Sequence, residues 1–179
     1  MVATIHNLDT ANLFVGDDDP ANSQFLVLQS FTLPQFEEMT RSYNPGGGVL
    51  AISMGMRQLN ALTFPFSLNG IQPEVMSYFM KPGSRRVNYT IRGNLADVSE
   101  QTDQPFVATI NGRMTTLNKG QFSKASGVDT DYVVNEIVRY RLVIGTEEKF
   151  FFDAFLGPRG IRVDGVEVYT AVARNVGLL

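Results

Sequence analysis

Apolar and polar residues alternate with a period of two along much of the chain. In Val87–Leu95 the odd positions are apolar or glycine, and the even positions are Asn, Thr or Arg. Leu62–Leu68 alternates in the same way, although Pro65 cannot donate a hydrogen bond to a neighbouring strand. A period of two predicts β-strands with one face in a core and the other in water.

Six more segments resemble strands, and two of them are long. Tyr132–Ile144 would extend about 44 Å, more than twice a typical strand. Asp164-Gly165 is a tight hairpin signal between two short apolar runs. About eight strands are therefore predicted. Besides the two segments above, they are Phe25–Leu33, Val49–Met56, Phe106–Leu117, Tyr132–Ile144, Lys149–Leu156 and Val166–Ala171.

One segment, Pro73–Met80, has the features of a helix. Pro73 suits the first helical position, Glu74 favours the helix N-terminus, and the following apolar residues form one stripe. No linker, repeat or low-complexity run divides the chain. Residues 1–179 are therefore predicted to form a single, mostly antiparallel β domain with one short flanking helix.

Composition excludes several classes of protein. The chain has 179 residues, of which 44% are hydrophobic and 18% charged, so it can bury a core. The absence of Cys excludes disulfide scaffolds and thiolate chemistry, and a net charge of −3 disfavours non-specific nucleic-acid binding. The first residues lack the pattern of a signal peptide, and no apolar run is long enough to span a membrane. We expect a soluble protein made in the cytoplasm.

Candidate catalytic or ligand-binding motifs are weak. Gly46-Gly47-Gly48 lacks the Lys and Ser/Thr of a P-loop, so it indicates a mobile loop or a turn into a strand. Asp17-Asp18-Asp19 lacks the alternating spacing of a calcium loop, and His6 has no partner set. We expect no enzyme activity, no cofactor and no metal site.

Glu136 lies within the apolar face of a predicted strand, where two interpretations remain open. It is a buried carboxylate with a raised pKa and a catalytic role, or it pairs with Arg at a contact between subunits. Without a cleft in which to place it, the contact is favoured.

Strand edges indicate assembly. Val49–Met56 carries no charge, and Phe150-Phe151-Phe152 is apolar on both faces. Unprotected strand edges pair with other chains, and a strand that is apolar on both faces is usually covered on both. Assembly with other copies is therefore expected before any family is considered.

Short motifs in a fixed order over nearly the whole chain resemble the P2-like major tail tube proteins of contractile-tailed bacteriophages. None of them is specific alone. They are Asn12–Gly16, Phe31-Thr32-Leu33-Pro34, Tyr43 with Gly46–Gly48, Leu62–Gly70 with the helix, Tyr89–Gly93, Gly112-Arg113, Lys119-Gly120, Arg139–Leu142, Val163-Asp164-Gly165 and Arg174–Leu178.

The resemblance implies an antiparallel β-sandwich or split barrel that forms hexameric rings stacked into a hollow tube. Such a tube lies inside a contractile sheath and conducts the genome into the host. The implied partners are other copies, the sheath, baseplate and tail-terminator proteins, and transiently the tape measure protein and double-stranded DNA. The implied location is the virion tail, assembled in the host cytoplasm. Four strands from each of six copies would give a backbone diameter of roughly 50 Å.

Candidate contact residues follow from this resemblance. The loop 42–50 is the candidate for reaching the adjacent ring, through Tyr43, Asn44, Gly46, Gly47 and Gly48. Lateral contacts are assigned to Phe151, Phe155, Glu136, Arg139 and Arg141. A lumen that conducts DNA should be neutral or acidic, because Lys and Arg bind phosphate. Strand alternation places Arg92, Arg113, Arg139 and Arg141 on wet faces. Arg139 and Arg141 are therefore expected at contacts rather than in the lumen.

Two alternatives remain open from the sequence. The first keeps the fold but places it in a phage-tail-like bacteriocin or a type VI secretion tube. The second is a small-ligand-binding β-barrel or a flavin-binding split-barrel enzyme, which would be a discrete particle with a bound ligand.

Overall fold

A computed structural model describes residues 5–83, 86–99, 101–124 and 127–178. Met1–Thr4, on which part of the signal-peptide expectation rests, lie outside the described residues. The strands are β1 His6–Val15, β2 Leu28–Phe31, β3 Glu38–Tyr43, β4 Ile52–Leu59, β5 Phe64–Asn69, β6 Val87–Asp97, β7 Thr102–Lys119, β8 Asp129–Ile144, β9 Glu147–Asp153, β10 Ile161–Val163 and β11 Val166–Glu167. The helices are α1 Pro73–Met76 and α2 Thr170–Asn175, with 3₁₀ segments at Pro20–Asn22 and Ala154–Gly160.

Nine strands form one antiparallel sheet, and β3 and β4 form a separate hairpin. The main path runs β1-β6-β7-β8-β9-β10-β11, and β5 and β2 branch from β8. One edge of β8 is shared because β5 pairs with residues 129–134 and β9 with residues 139–144. The two long strands predicted from the sequence therefore connect two halves of the sheet.

The boundary between these halves is a bulge in β8. Arg113 pairs with Asn135 and Asn111 with Arg139, so Gly112 alone faces the three residues 136–138. Glu136 has a φ of 50°, a left-handed conformation that is rare for a residue with a side chain. A bulge bends its strand and increases the local twist, which turns the two halves apart.

The core lies on the inner face of the sheet and is rich in aromatic side chains. Phe66 and Tyr132 stack with ring centroids 4.9 Å apart, and the ring of Tyr89 lies 6.1 Å from those of Phe64 and Phe66. Aliphatic residues from β1, β6, β7 and β8 pack around them. Each fully buried large side chain contributes roughly 1.5–3 kcal/mol of hydrophobic stabilisation.

The predicted mainly antiparallel β fold is confirmed, with corrections to individual elements. Helix α1 ends at Met76 rather than Met80. The predicted strand Val166–Ala171 is instead the two-residue β11 followed by helix α2, so the fold has two short helices. The hairpin at Asp164-Gly165 is confirmed: both residues have positive φ, as a type I′ turn requires.

Candidate assembly surfaces

Among the described residues, one half of the main sheet has two strand edges without a partner strand. In that part of the chain, strand β2 pairs only with β5. Strand β6 begins opposite Gly112, so residues 113–119 of β7 are paired on the β8 side alone within the described chain. We call β2, β5, residues 129–134 of β8 and residues 113–119 of β7 the four-strand half-sheet. Its strands alternate in direction, so one free edge is antiparallel to the other.

The outer face of the four-strand half-sheet is polar and acidic. The Ser67 hydroxyl donates to the carboxylate of Asp131 at 2.7 Å, and the Gln29 amide donates to Asp129 at 3.4 Å. Asn118 pairs with Asp131 in the register of β7 and β8. We call Gln29, Ser67, Asn118, Asp129 and Asp131 the acidic face. Sequence reasoning did not identify this set, because its members come from four strands and only their pairing register brings them together.

The four arginines predicted on wet strand faces all pair with carboxylates of the same chain. Arg139 lies 2.7 Å from Asp153, and Arg141 lies 2.8 Å from Glu148. The other two pairs are Arg92 with Asp18 and Arg113 with Glu136. The hydrogen bond from Arg92 is the main reason that the pKa of Asp18 lies below its usual range. The charge of each of these arginines is therefore offset by a carboxylate of the same chain.

Arg141 and Phe151, two of the predicted lateral-contact residues, belong to a cluster around Glu148. Phe151 pairs with Arg141 in register, and the Arg162 guanidinium lies 3.8 Å from the centre of its ring. Glu148 accepts hydrogen bonds from both Arg141 and Arg162. Burial alone would raise the pKa of Glu148, but these two guanidinium groups hold it below its usual value.

Glu136 and Phe155 lie at the end of the same surface. Glu136 does not lie in the apolar face, as predicted, because the bulge turns it outward and leaves it 41% exposed. Its carboxylate accepts from the Arg86 guanidinium at 2.6 Å, and that guanidinium also lies 5.7 Å from the ring of Phe155. All five predicted lateral-contact residues therefore share one surface of β8, β9 and the 3₁₀ segment; a contact between subunits there stays a prediction.

The predicted inter-ring residues belong to the separate β3–β4 hairpin. Tyr43 ends β3, and Asn44 with the three glycines lies in the connection to β4. A side chain at Gly46 or Gly47 would meet no atom within 4 Å, so these glycines are open to a partner. One face of the hairpin has small polar residues. The other face is apolar except for Arg41, which lies opposite Met54, and it includes Tyr43, Ile52, Met54 and Met56, all substantially exposed.

A groove of about 560 Å³ lies beside the base of this hairpin. Its walls come from the end of β4 and the segment after it, the β8 bulge, the end of β9, the 3₁₀ segment and helix α2. Most of its lining is apolar, including Leu62, Ile137, Phe152, Pro158, Ile161 and Val172. The carboxylates of Glu136 and Asp153 at the groove already pair with arginines.

Two other predicted features have structural roles. Asp19 caps the 3₁₀ segment Pro20–Asn22 by accepting a hydrogen bond from the Ala21 N–H at 2.8 Å. His6 begins β1, and its Nδ1 lies 3.8 Å from Asp97. Within the described ranges, no cluster of three or more His, Cys, Asp and Glu is placed to hold a metal ion. No helix in those ranges has the length and apolar character needed to cross a bilayer.

Known proteins resemble this chain in sequence and in fold. The model of the family described as phage tail tube protein FII matches residues 5–177. No curated protein matches the sequence. Among solved structures, the fold is similar to the PVC sheath/tube terminator of an extracellular contractile injection system, determined by cryo-EM in the extended state. That similarity has a TM-score of 0.51 and 14% identity, and covers 77% of this chain and 94% of the other.

Proposed function

The chain belongs to the phage tail tube protein FII family, which makes it a structural tail component rather than an enzyme, and we propose that its copies form hexameric rings stacked into the inner tube of a contractile tail. The two free edges of the four-strand half-sheet are the observation that carries the proposal. They argue for a ring because an unpaired strand edge is completed most directly by another strand.

In each ring, β2 of one copy pairs with residues 113–119 of β7 in the next. The two edges run in opposite directions, so this pairing continues the antiparallel pattern without interruption. A contact between two different edges of one chain is head-to-tail, and it closes into a ring when the rotation permits. Six copies with four strands each would make a barrel roughly 50 Å across, which admits duplex DNA.

The acidic face lines the lumen of this ring. Asp129 and Asp131 are its charged groups, and neither attracts a DNA phosphate. The arginines of β6–β9 lie outside the four-strand half-sheet or at its boundary, and each has a carboxylate partner. DNA therefore passes through the tube without the binding free energy that counterion release would supply.

The further partners are the sheath around the tube, the baseplate, the tail terminator, the tape measure protein and the genome in transit. The tube is assembled in the host cytoplasm and is located in the tail of the virion. The similarity in fold to a sheath/tube terminator supports an assembly of this kind. The same tube would serve a bacteriocin or an injection system, and head and portal genes beside the coding sequence would distinguish the phage setting.

Cross-linking tests the ring directly, because the chain has no cysteine of its own. Ser30→Cys and Thr116→Cys place one thiol on each free edge. The double variant is expected to form a covalent ladder that ends at the hexamer, while Ser30→Cys combined with Asn88→Cys, on a different part of the sheet, forms none. Electron microscopy of the unmodified protein should show rings and tubes; a single discrete particle at every concentration would contradict the proposal.

A further inference from the structure

The β3–β4 hairpin pairs with no other strand in the described part of the chain. It forms a two-stranded sheet apart from the main sheet, and an isolated hairpin is at best marginally stable in water. Residues 44–56 contain no charged side chain. At the tip, Val49 is fully exposed and Leu50 is 75% exposed. Such a tip gains stability when another surface covers it.

The apolar groove lies at the opposite end of the same hairpin. Leu59 ends β4 and, with the residues that follow, forms one wall of the groove. The eight residues of β4 span about 27 Å, so the tip of a hairpin cannot fill the groove at its own base. A hairpin tip that fills the groove must therefore come from a second copy.

We propose that Val49 and Leu50 of one copy insert into the groove of a copy in the adjacent ring. This inference rests on the proposed function and names the receiving surface for the hairpin, which the family match leaves open. The uncharged tip meets walls formed by Ile137, Ile161 and Val172. The two carboxylates at the groove keep their arginine partners, so docking leaves no carboxylate unpaired, and Arg57 is the remaining charged residue of the lining.

The geometry of this contact explains why it extends a stack. The inserted tip and the receiving groove are different surfaces of one chain, so each copy that receives a tip also offers one. A head-to-tail contact of this type continues without limit if it does not close. Gly46 and Gly47 allow the tip to fit closely against the groove wall because they have no side chain.

Cysteine pairs locate the contact. Copies with Leu50→Cys are mixed with copies with Val172→Cys under oxidising conditions, and a covalent heterodimer is expected. The matched control replaces Leu50→Cys with Phe122→Cys, whose site is equally exposed but lies outside the hairpin. That mixture should give no heterodimer. A chain with both Leu50→Cys and Val172→Cys should cross-link into a ladder between rings.

A charge introduced on either side of the contact should weaken the stacking of rings into tubes and leave the rings themselves intact. Leu50→Asp is expected to leave rings intact and shorten tubes at least tenfold, measured by electron microscopy. Val172→Asp should do the same. Because Val172 is partly buried, circular dichroism checks that this variant still folds. If it does not fold, Leu50→Asp, at an exposed position, decides the test. Ser53→Asp, on the polar face of the hairpin and outside the loop 42–50, should leave tube length unchanged.

Each outcome distinguishes the two proposals. Tubes of normal length from Leu50→Asp, together with absence of the 50–172 cross-link, would overturn the inference while leaving the tube function intact. Absence of rings and tubes from the unmodified chain would overturn the tube function itself.

Discussion

Arg139 on β8 and Asp153 at the end of β9 lie opposite each other in register and form an ion pair. The Arg139 Nε and a terminal nitrogen donate to Oδ2 of Asp153 at 2.9 and 2.7 Å. The other carboxylate oxygen accepts from the N–H of Phe155 at 3.0 Å and caps the 3₁₀ segment. Asp153 is only 3% exposed, so this one buried carboxylate connects two strands and the segment that borders the groove.

Removing Arg139 should destabilise the fold more than removing an arginine from an exposed pair. Arg139→Gln leaves the buried Asp153 carboxylate short of a charged donor, at an expected cost of about 2 kcal/mol in the free energy of unfolding. Arg92→Gln is the control: its partner Asp18 is 38% exposed, and the cost should stay below about 1 kcal/mol. Urea denaturation at neutral pH measures both, and equal costs would contradict the role given to burial.

The hydroxyl of Tyr89 is buried and has no hydrogen-bond partner among the described residues. A buried, unpaired hydroxyl costs free energy, and Phe keeps the ring that packs against Phe64 and Phe66. Tyr89→Phe should therefore stabilise the protein by about 1 kcal/mol, measured as a higher midpoint of thermal unfolding. Tyr43→Phe, at an exposed position, should leave the midpoint unchanged. A destabilised Tyr89→Phe would mean that the hydroxyl has an internal water as its partner.

Buried tyrosines should also make the fold sensitive to alkaline pH. Burial raises the pKa of Tyr140 to about 12 and raises the pKa of Tyr89 further. In the unfolded chain both ionise near pH 10, so the folded state binds more protons above that pH. Stability is fully present below about pH 10 and is lost as the pH rises toward 12. Denaturant titrations across this range should show the decline, and the Tyr89→Phe/Tyr140→Phe variant should show a shallower one.

The central strands could be predicted from the sequence because their environment is simple. β6 has one face in the core and one face in water, so alternation alone identifies it. β3 was missed because its few apolar residues are exposed. β1 was missed because its buried residues Leu13, Phe14 and Val15 are consecutive and do not alternate with polar ones. Helix α2 was predicted as a strand because β-branched residues precede it in an alternating run.

The positions of some candidate contact residues could be predicted from the sequence, and those of others could not. Arg139 and Arg141 were correctly placed on a wet face because strand alternation fixes their direction. Glu136 was misplaced because its φ of 50° interrupts the alternation, and no local sequence signal marks such a bulge. The acidic face and the groove could not be predicted at all, since each combines residues from several distant segments.

Gly160 should tolerate no side chain, in contrast to the glycines of the hairpin. A Cβ at Gly160 would fall on the backbone carbonyl of Asp153, where neither backbone can yield without displacing the 3₁₀ segment from β9. Gly160→Ala should therefore lower the free energy of unfolding by 3 kcal/mol or more, about the upper end of the usual cost of overpacking. Gly46→Ala meets no atom within 4 Å and should leave the stability of the isolated chain within about 0.5 kcal/mol of its original value.

The same pair of variants separates folding from assembly. Gly160→Ala is expected to reduce the yield of folded protein, and so of tubes, in proportion to its loss of stability. Gly46→Ala is expected to keep a normal unfolding curve, so any shortening of its tubes reports on the contact made by the hairpin tip. Urea denaturation and electron microscopy on the same preparations measure both quantities. A stable Gly160→Ala would show that the 3₁₀ segment can move away from β9, and the groove that it borders would then be adjustable rather than preformed.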